Sequence, residues 1–281
     1  MKICFTKMHG IGNDFMVLDY TKSPFTLSKA TIQSLSHRHL GIGFDQLLVV
    51  ETSSLKDVDF KYRIFNQDGG EVEQCGNGAR CFYRFVKDQN LTHKKIIRVK
   101  TKSGVIELSE DDQHMIEVNM GEPIFTPKLI PFISEVEQNL YPIKIDLPQQ
   151  KKTININILS MGNPHAVITV KDLNKVTIET LGPYLESHPL FPKRVNVGFM
   201  KIINSNHIHL RVYERGVGET LACGTGACAA VVSGIKNQIL TSPVKVDMRG
   251  GNLIIDWKGL GYPVMMKGPA ITVYKGEVEI A

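Results

Sequence analysis

The sequence contains no long run of lysine and arginine, and its basic residues do not alternate with aromatic ones along any stretch. A nucleic-acid-binding protein usually concentrates positive charge in such patterns, because it must neutralise phosphates along a groove or a strand. Here the net charge is +5 and the basic residues are scattered. We therefore expect no nucleic-acid partner and interpret the charge as a solvated surface that mildly favours anionic ligands.

The sequence also has no long apolar segment. A helix that crosses a bilayer needs roughly 20 apolar residues, and no apolar stretch approaches this length. Residues 1–7 have too few apolar side chains for a signal peptide. The chain has five cysteines, an odd number that a full set of disulfides cannot use. We expect a protein with no membrane partner that keeps free thiols in the reducing cytoplasm.

The chain repeats part of itself, and this repeat is the most informative pattern in the sequence. Residues 63–79 align without a gap with residues 211–227, and the residues Arg, Gly-Glu and Cys-Gly-x-Gly-Ala recur in register. Residues 12–17 match residues 162–167, and Gln46 matches Asn196 beside an apolar run. Three ordered matches at nearly one offset predict two homologous domains that face each other.

Short apolar runs bounded by Gly, Asn, Asp and Pro predict many strands, whereas long helical stretches are few. The fold class that follows is α+β, with two homologous, pseudo-symmetric domains of mostly antiparallel strands around a principal helix. We place these domains at residues 1–122 and 123–281, and the last strand, 270–281, is a candidate to join the first domain. The predicted helices are residues 28–40, 76–87, 177–185 and 224–236.

Two cysteines, Cys75 and Cys223, occupy matching positions directly before two of the predicted helices. A helix N-terminus presents unpaired N–H groups and the positive end of the helix dipole, so we expect a lowered pKa at both thiols. The same N–H groups suit a substrate carboxylate. If both helices face one cleft, a thiolate and a thiol on opposite sides of an α-carbon can invert it without a metal or an organic cofactor. The repeated Glu71 and Glu219 are interpreted as helix-entry caps.

Other uses of these cysteines stay open at this point. In oxidising conditions Cys75 and Cys223 can instead form a disulfide, and a non-enzymatic thiol redox or binding protein is a competing class. A zinc site is disfavoured, because the spacing from Cys75 to Cys81 and from Cys223 to Cys228 is longer than in a zinc knuckle. We interpret Cys81 and Cys228 as small core residues and expect no metal site.

Six segments follow one another along nearly the whole chain. They are GIGNDF at 10–15, NQDG at 66–69, CGNGARC at 75–81, GNPHAV at 162–167, RVNV at 194–197 and ERGVGETLACGTGACA at 214–229. Together they resemble the diaminopimelate epimerase family. The resemblance implies an isomerase that interconverts LL- and meso-2,6-diaminoheptanedioate (diaminopimelate) without pyridoxal phosphate, in lysine and peptidoglycan precursor synthesis. It also implies a homodimer with its active site in the cleft between the two halves.

The resemblance further implies a role for each matching residue. Cys75 and Cys223 are the acid and base pair, and His165 and Glu214 tune the pKa of the thiols. The backbone N–H groups at 76–77 and 224–225 receive the reacting carboxylate. The implied substrate-binding residues come from both halves: Asn13, Gln46, Asn66, Gly76, Asn77, Asn163, Asn196, Glu214, Arg215, Gly224 and Thr225.

The alternative function is a proline or hydroxyproline racemase, which would use the same pair of cysteines. Diaminopimelate carries a second amino-acid group that does not react, whereas proline has no such group. Arg215 can bind a distal carboxylate through two parallel hydrogen bonds, and Glu214 can accept from a distal ammonium. A shorter substrate would leave the side chains of Glu214 and Arg215 unpaired, so the presence of these two residues favours diaminopimelate as the substrate.

Overall fold

A computed structural model describes residues 1–23, 25–72, 75–102, 104–147 and 150–280. These described residues form eighteen β-strands and four α-helices. The strands are β1 (Lys2–Gly10), β2 (Asn13–Asp19), β3 (Gln46–Thr52), β4 (Phe60–Asn66), β5 (Glu71–Val72), β6 (Ile96–Thr101), β7 (Gly104–Glu110), β8 (Ile116–Asn119), β9 (Tyr141–Leu147), β10 (Gln150–Ser160), β11 (Pro164–Thr169), β12 (Asn196–Asn204), β13 (His207–Glu214), β14 (Gly218–Thr220), β15 (Val244–Met248), β16 (Gly251–Trp257), β17 (Val264–Gly268) and β18 (Ile271–Glu279). The helices are α1 (Lys29–Ser36), α2 (Gly76–Asp88), α3 (Ile178–Glu186) and α4 (Gly224–Lys236).

Backbone contacts divide the chain into two compact units. Unit 1 comprises Met1–Asn119 together with Lys267–Ala281, and unit 2 comprises Met120–Met266. Unit 1 corresponds to the predicted first half, 1–122, together with the last strand, 270–281, which was a candidate to join it. β18 joins unit 1 because it pairs with β1 in antiparallel register from Lys2 to His9.

Unit 1 is a mainly antiparallel sheet with one helix packed into it. β18, β1 and β2 are antiparallel neighbours, β2 is parallel to β3, and β3 is antiparallel to β4. β4 is parallel to β6, and β6, β7 and β8 continue in antiparallel order. Helix α2 packs against β1, β2, β7, β8 and β18, and it buries Ala79, Cys81, Phe82 and Phe85. The less buried residues Arg84, Lys87 and Asp88 are three and four positions apart and share one face, as expected of an amphipathic helix.

Unit 2 repeats this organisation around α4. β9, β10 and β11 are antiparallel neighbours, β11 is parallel to β12, and β12 is antiparallel to β13. β13 is parallel to β15, which is antiparallel to β16. Helix α4 packs against β10, β11, β12 and β16, and its residues from Ala227 to Val232 are fully buried. Their small side chains allow the helix to approach the surrounding strands closely.

The internal repeat is visible in the order and direction of the elements. In each unit an antiparallel strand pair is followed by a short helix, a parallel strand, an antiparallel partner, a two- or three-residue strand and the principal helix. Gly12 and Gly162 occupy matching turns, and both have a φ of 90°, a backbone conformation that strongly favours glycine. The predicted α+β class, with one principal helix in each of two homologous halves, is confirmed.

The predicted helices agree with the structure except at the end of the first. Helix α1 begins after Ser28, whose hydroxyl accepts from the Thr31 N–H, but it ends at Ser36 rather than at residue 40. The chain turns back at this point, because the N–H groups of Ile42 and Gly43 donate to the Leu35 carbonyl. Among the described residues, no helix combines the length and the apolar composition that a membrane-spanning segment requires.

A repeated ion pair connects the strands that precede the two principal helices. Arg63 on β4 donates to both carboxylate oxygens of Glu71 on β5, over 3.0 and 2.9 Å. Arg211 on β13 does the same to Glu219 on β14, over 2.7 and 2.9 Å. The interpretation of these two glutamates as helix caps is therefore wrong, because they lie on strands and fix the hairpin that leads to each helix.

Candidate active site

Cys75 is the residue from which helix α2 starts. It is the N-cap residue, with an extended backbone, and its Sγ accepts a hydrogen bond from the Gly78 N–H over 3.4 Å. The first N–H groups of a helix have no partner within the helix, so the sulfur occupies a place where negative charge is stabilised. Gly78 is required here, since a Cβ on it would lie 2.3 Å from the Tyr62 hydroxyl.

Asn13, a predicted ligand, contacts the Cys75 sulfur, and a second predicted ligand, Asn77, contacts Asn13. The Cys75 thiol donates to Asn13 Oδ1 over 3.5 Å, and Asn77 Nδ2 donates to the same oxygen over 3.4 Å. Asn77 is itself held by Arg80, a fully buried arginine whose Nη2 donates to Asn77 Oδ1 over 2.9 Å. The Arg80 Nε donates to the carbonyl of Pro269 over 3.1 Å, which ties the start of α2 to the C-terminal segment of unit 1.

The orientation of Asn13 is set by an acidic residue that sequence reasoning missed. Asp45 Oδ2 accepts from Asn13 Nδ2 over 2.9 Å, and because a carboxylate can only accept, the amide oxygen must face Cys75. Arg38 donates to both Asp45 and Asp14, and Lys7 donates to Asp14 as well. Burial alone would raise the pKa of Asp14, but the hydrogen bonds from Arg38 and Lys7 outweigh it and lower that pKa to about 2.

Gln46 and Asn66 form a second polar pair in unit 1. They face each other on β3 and β4, and Gln46 Nε2 donates to Asn66 Oδ1 over 2.9 Å. Gln46 Oε1 is buried and has no hydrogen-bond partner among the described residues. A buried acceptor without a partner costs about 1–3 kcal/mol, so this oxygen is suited to receive an N–H group of a bound ligand.

Cys223 has the corresponding position at the start of α4, but its surroundings differ. It is the N-cap residue of the helix and is only 5% exposed. Its Sγ forms a hydrogen bond with Thr225 Oγ1 over 3.5 Å. Burial raises the pKa of Cys223 well above its usual value, and the charge of Glu214 raises it further. Hydrogen bonds from Thr225 and from the Gly226 N–H lower it, but they do not outweigh these two effects. The predicted lowering of the pKa is therefore wrong for Cys223, which is a thiol at neutral pH.

Glu214, Arg215 and Asn196 meet where β13 ends and β12 begins. The Thr220 hydroxyl donates to Glu214 Oε1 over 2.6 Å. The Arg215 backbone N–H donates to Asn196 Oδ1 over 3.0 Å, and Asn196 Nδ2 donates to the Pro164 carbonyl over 3.0 Å. Asn196 is buried, so both ends of its amide are used to fix the turn at Arg215. The Arg215 side chain is exposed, and its Nη1 donates to the Lys193 carbonyl over 3.1 Å.

His165 pairs with Asn163, a second predicted ligand. Its Nε2 lies 2.9 Å from Asn163 Oδ1, and because that oxygen can only accept, the neutral ring carries its hydrogen on Nε2. Burial, and secondarily the positive charge of Arg215, lowers the pKa of His165 to about 3. His165 is therefore uncharged at neutral pH, and it acts here as a fixed donor to Asn163 rather than as a cation.

Two substitutions beside Cys223 are expected to shift its pKa in opposite directions. Glu214→Gln removes a negative charge beside the thiol, so its pKa should fall, whereas Thr225→Val removes a stabilising hydrogen bond, so its pKa should rise. The pH dependence of Cys223 alkylation by iodoacetamide, followed by peptide mass spectrometry, measures both shifts. A shift in the same direction for the two variants would contradict these electrostatics.

His165 gives a prediction about acid stability. The unfolded ring takes up a proton below its ordinary pKa of 6.5, but the folded ring does so only near pH 3. The free energy of unfolding therefore falls as the pH falls through this window, and the penalty is absent above it. When the pH is lowered from 7 to 5, the free energy of unfolding should fall by about 2 kcal/mol more in the wild-type chain than in His165→Gln. Urea denaturation at the two pH values measures this difference. Equal losses would show that His165 titrates normally in the folded protein.

The predicted site residues lie in several small groups of contacts within each unit. In unit 1 these groups are Cys75 with Asn13 and Asn77, and Gln46 with Asn66. In unit 2 they are Cys223 with Thr225 and Glu214, Asn196 with Arg215, and His165 with Asn163. Sequence reasoning missed Asp45, Arg80 and Thr220, which orient Asn13, Asn77 and Glu214. Adjacency was the available signal for Asp45, which precedes Gln46, and for Arg80, which lies within the 75–81 segment.

Solved structures match the fold of the chain. A hydroxyproline epimerase from Agrobacterium vitis, with bound trans-4-hydroxy-L-proline, is 12% identical with a TM-score of 0.70, and the match covers 99% of this chain and 92% of that one. A phenazine biosynthesis protein of the PhzF family from Bacillus anthracis is 18% identical with a TM-score of 0.69, over 100% of both chains. The chain shares the fold of these proteins. In this chain, a cysteine precedes the principal helix of each unit.

Sequence comparison then identifies the family. The model of the diaminopimelate epimerase family matches residues 5–126 and 157–273. A diaminopimelate epimerase from Azoarcus sp. strain BH72 is 53% identical over 280 residues, and one from Pseudomonas aeruginosa strain PAO1 is 52% identical over the same length. One from Nitrosomonas eutropha is 55% identical over 283 residues, and each match covers 100% of both chains. The chain belongs to the diaminopimelate epimerase family.

Proposed function

We propose that this chain is an isomerase that interconverts LL- and meso-diaminopimelate, a step that serves lysine and peptidoglycan precursor synthesis. The observation that carries the proposal is full-length identity above 50% to several proteins named diaminopimelate epimerase. The two cysteines at helix N-termini, in units with the same order of elements, supply a chemistry that fits this reaction.

Both cysteines act on the same α-carbon in this proposal. In the direction that begins with Cys223 as the thiol, Cys75 removes the α-proton and Cys223 donates a proton to the opposite face. The reverse reaction exchanges the two roles. The high pKa of Cys223 supports its role as the initial proton donor. The proposal assigns both proton transfers to side chains, so the reaction needs neither a metal nor an organic cofactor.

The carbanion formed between these two steps needs strong stabilisation of its carboxylate. The N–H groups at the start of α2, at Gly76 and Asn77, and of α4, at Gly224 and Thr225, are the proposed donors. They belong to the unpaired first turn of a helix, where the dipole favours an anion. Donors fixed in this way stabilise developing charge without reorganising during the reaction.

The distal amino-acid group of the substrate determines specificity in this proposal. Arg215 would bind the distal carboxylate with its exposed guanidinium, and Glu214 would accept from the distal ammonium. Gln46 Oε1 supports a further contact, because it is buried and has no partner among the described residues. The remaining proposed ligands are amide side chains: Asn13, Asn66, Asn163 and Asn196.

The activity is tested with the purified, reduced chain and LL-diaminopimelate. We expect meso-diaminopimelate to form until the two isomers reach equilibrium, measured by chiral chromatography. L-Proline and trans-4-hydroxy-L-proline are the control substrates and should not be converted. Turnover of a proline substrate with no conversion of diaminopimelate would favour the racemase alternative instead.

We also propose a cytoplasmic homodimer. None of the five cysteines, all of which the structure describes, forms a disulfide, and the proposed reaction requires two of them reduced, which suits a reducing compartment. β18 exposes three large apolar side chains, Ile271, Val273 and Tyr274, which a second copy of the chain could cover. Analytical ultracentrifugation tests this part, because a monomer at micromolar concentration would contradict it.

A further inference from the structure

Away from Cys223 and its contacts, unit 2 brings two histidines and one aspartate together. His207 and His209 are separated by one residue on β13, so their side chains point to the same face of the sheet. β15 runs parallel beside this end of β13, and its register places Asp247 opposite His209. The sequence does not suggest this contact, because thirty-seven positions and helix α4 separate His209 from Asp247.

The three side chains converge closely. His207 Nε2 lies 2.7 Å from Asp247 Oδ2, and His209 Nε2 lies 3.5 Å from the same oxygen. All three candidate ligand atoms lie within 4.8 Å of one another. Metal–ligand bonds of about 2.0–2.2 Å place neighbouring ligands of a tetrahedral ion about 3.3 Å apart. Small side-chain rotations are therefore enough to direct all three atoms at one ion.

We propose that His207, His209 and Asp247 bind a divalent first-row transition-metal ion such as Zn²⁺. Two imidazoles and one carboxylate are ligands that suit Zn²⁺, Co²⁺ or Ni²⁺, whereas Mg²⁺ and Ca²⁺ prefer oxygen ligands alone. The side chains are 25%, 43% and 31% exposed, so an ion can reach them from solvent and keep water in its open positions.

The site is distinct from the proposed catalytic residues. His207 begins β13 and Glu214 ends it, and seven steps along a strand correspond to about 23 Å. A bound ion would link β13 to β15 and stabilise unit 2, since a ligand that binds only the folded state raises stability. The expected consequence is a higher melting temperature in the presence of Zn²⁺.

Lys245 offers a variant that is expected to strengthen metal binding. Its Nζ lies 3.1 Å from Asp247 Oδ1, so its positive charge competes with a metal ion for the same carboxylate. Lys245→Met removes this competing charge and leaves the three ligands in place. We expect Lys245→Met to bind the ion several-fold more tightly than the wild-type chain, whereas His209→Ala should weaken binding at least about tenfold.

The chain also offers a matched control. His37 and His39 form another pair separated by one residue, with ring centroids 6.0 Å apart, but His37 Nδ1 already accepts from two backbone N–H groups. His39→Ala should leave metal binding unchanged. Asp247→Asn, which preserves the shape of the ligand, should weaken binding as His209→Ala does, and circular dichroism checks that each variant is folded.

The experiment is a titration of the full-length, reduced chain with Co²⁺, followed by absorption spectroscopy and calorimetry. The expected result is one ion per chain, with visible d–d bands and without the near-ultraviolet charge-transfer band of a cobalt–thiolate bond. Three results would overturn the proposal: no saturable binding at millimolar Co²⁺, unchanged binding in His209→Ala, or a thiolate band showing that the ion binds to cysteine.

Discussion

Replacing either Cys75 or Cys223 with alanine is expected to reduce the turnover of diaminopimelate by at least about 10³-fold. In the proposed mechanism each sulfur carries out one proton transfer, which an alanine side chain cannot perform. At Cys75 the thiol donates to the amide of Asn13, a group that neither donates nor accepts a proton in full near neutral pH. At Cys223 the nearby Thr225 hydroxyl is far too weak an acid for the reaction, and the nearby Glu214 carboxylate already accepts from the Thr220 hydroxyl. Initial rates of meso product formation measure the loss in each direction.

Two other cysteines serve as controls for these variants. Cys81 lies on α2 and Cys228 on α4, so each shares a helix with one catalytic candidate, and both are fully buried. Cys81→Ala and Cys228→Ala should retain most of the turnover, at a cost of about 1 kcal/mol in the free energy of unfolding. Near-normal turnover in Cys75→Ala or in Cys223→Ala would rule out the two-cysteine mechanism.

Replacing Arg215 with methionine is expected to produce the second large effect, a fall of about 10²- to 10³-fold in kcat/KM. Methionine keeps the length and apolar character of the side chain but removes the guanidinium that is proposed to bind the distal carboxylate. Because this group does not take part in the proton transfers, the loss should appear mainly as a rise in KM. Steady-state kinetics with LL-diaminopimelate separate KM from kcat.

Arg249 and a conservative change at Arg215 complete this test. Arg249 is half-exposed and pairs with Glu219 over 3.4 Å, so Arg249→Met removes a comparable charge from the same unit and should leave KM unchanged. Arg215→Lys should recover part of the affinity, because lysine restores the charge but not two parallel hydrogen bonds. An unchanged KM in Arg215→Met would mean that another group binds the distal carboxylate.

The internal repeat explains why so much of the fold could be predicted from one sequence. Matching residues such as Cys75 and Cys223 must occupy matching places if two halves fold alike, so one motif locates the other. The starts of α2 and α4 were predicted at Gly76 and Gly224, where the structure has them. Local patterns are sufficient here, because a cysteine-glycine turn before an apolar segment specifies a helix start within a few residues.

The parts that were not predicted depend on contacts between distant segments. Arg63 donates two parallel hydrogen bonds to the Glu71 carboxylate across a hairpin. The position of Glu71 in the sequence, shortly before a helix, suggested instead that it caps the helix. The high pKa of Cys223 results from burial and from Glu214, which outweigh the local effect of the helix N-terminus. The contact of His209 with Asp247 depends on a parallel pairing of non-consecutive strands, which no short pattern encodes.

The most direct test of the two-base mechanism is the reaction of LL-diaminopimelate in D₂O, stopped early and analysed for deuterium at each α-carbon. With one base on each face, the proton removed from the substrate and the one delivered to the product come from different cysteines. We predict that the newly formed meso product carries solvent deuterium at its inverted centre, while the recovered LL substrate carries almost none. Product that retains the substrate's own proton would contradict the account, because it would mean that a single base serves both faces.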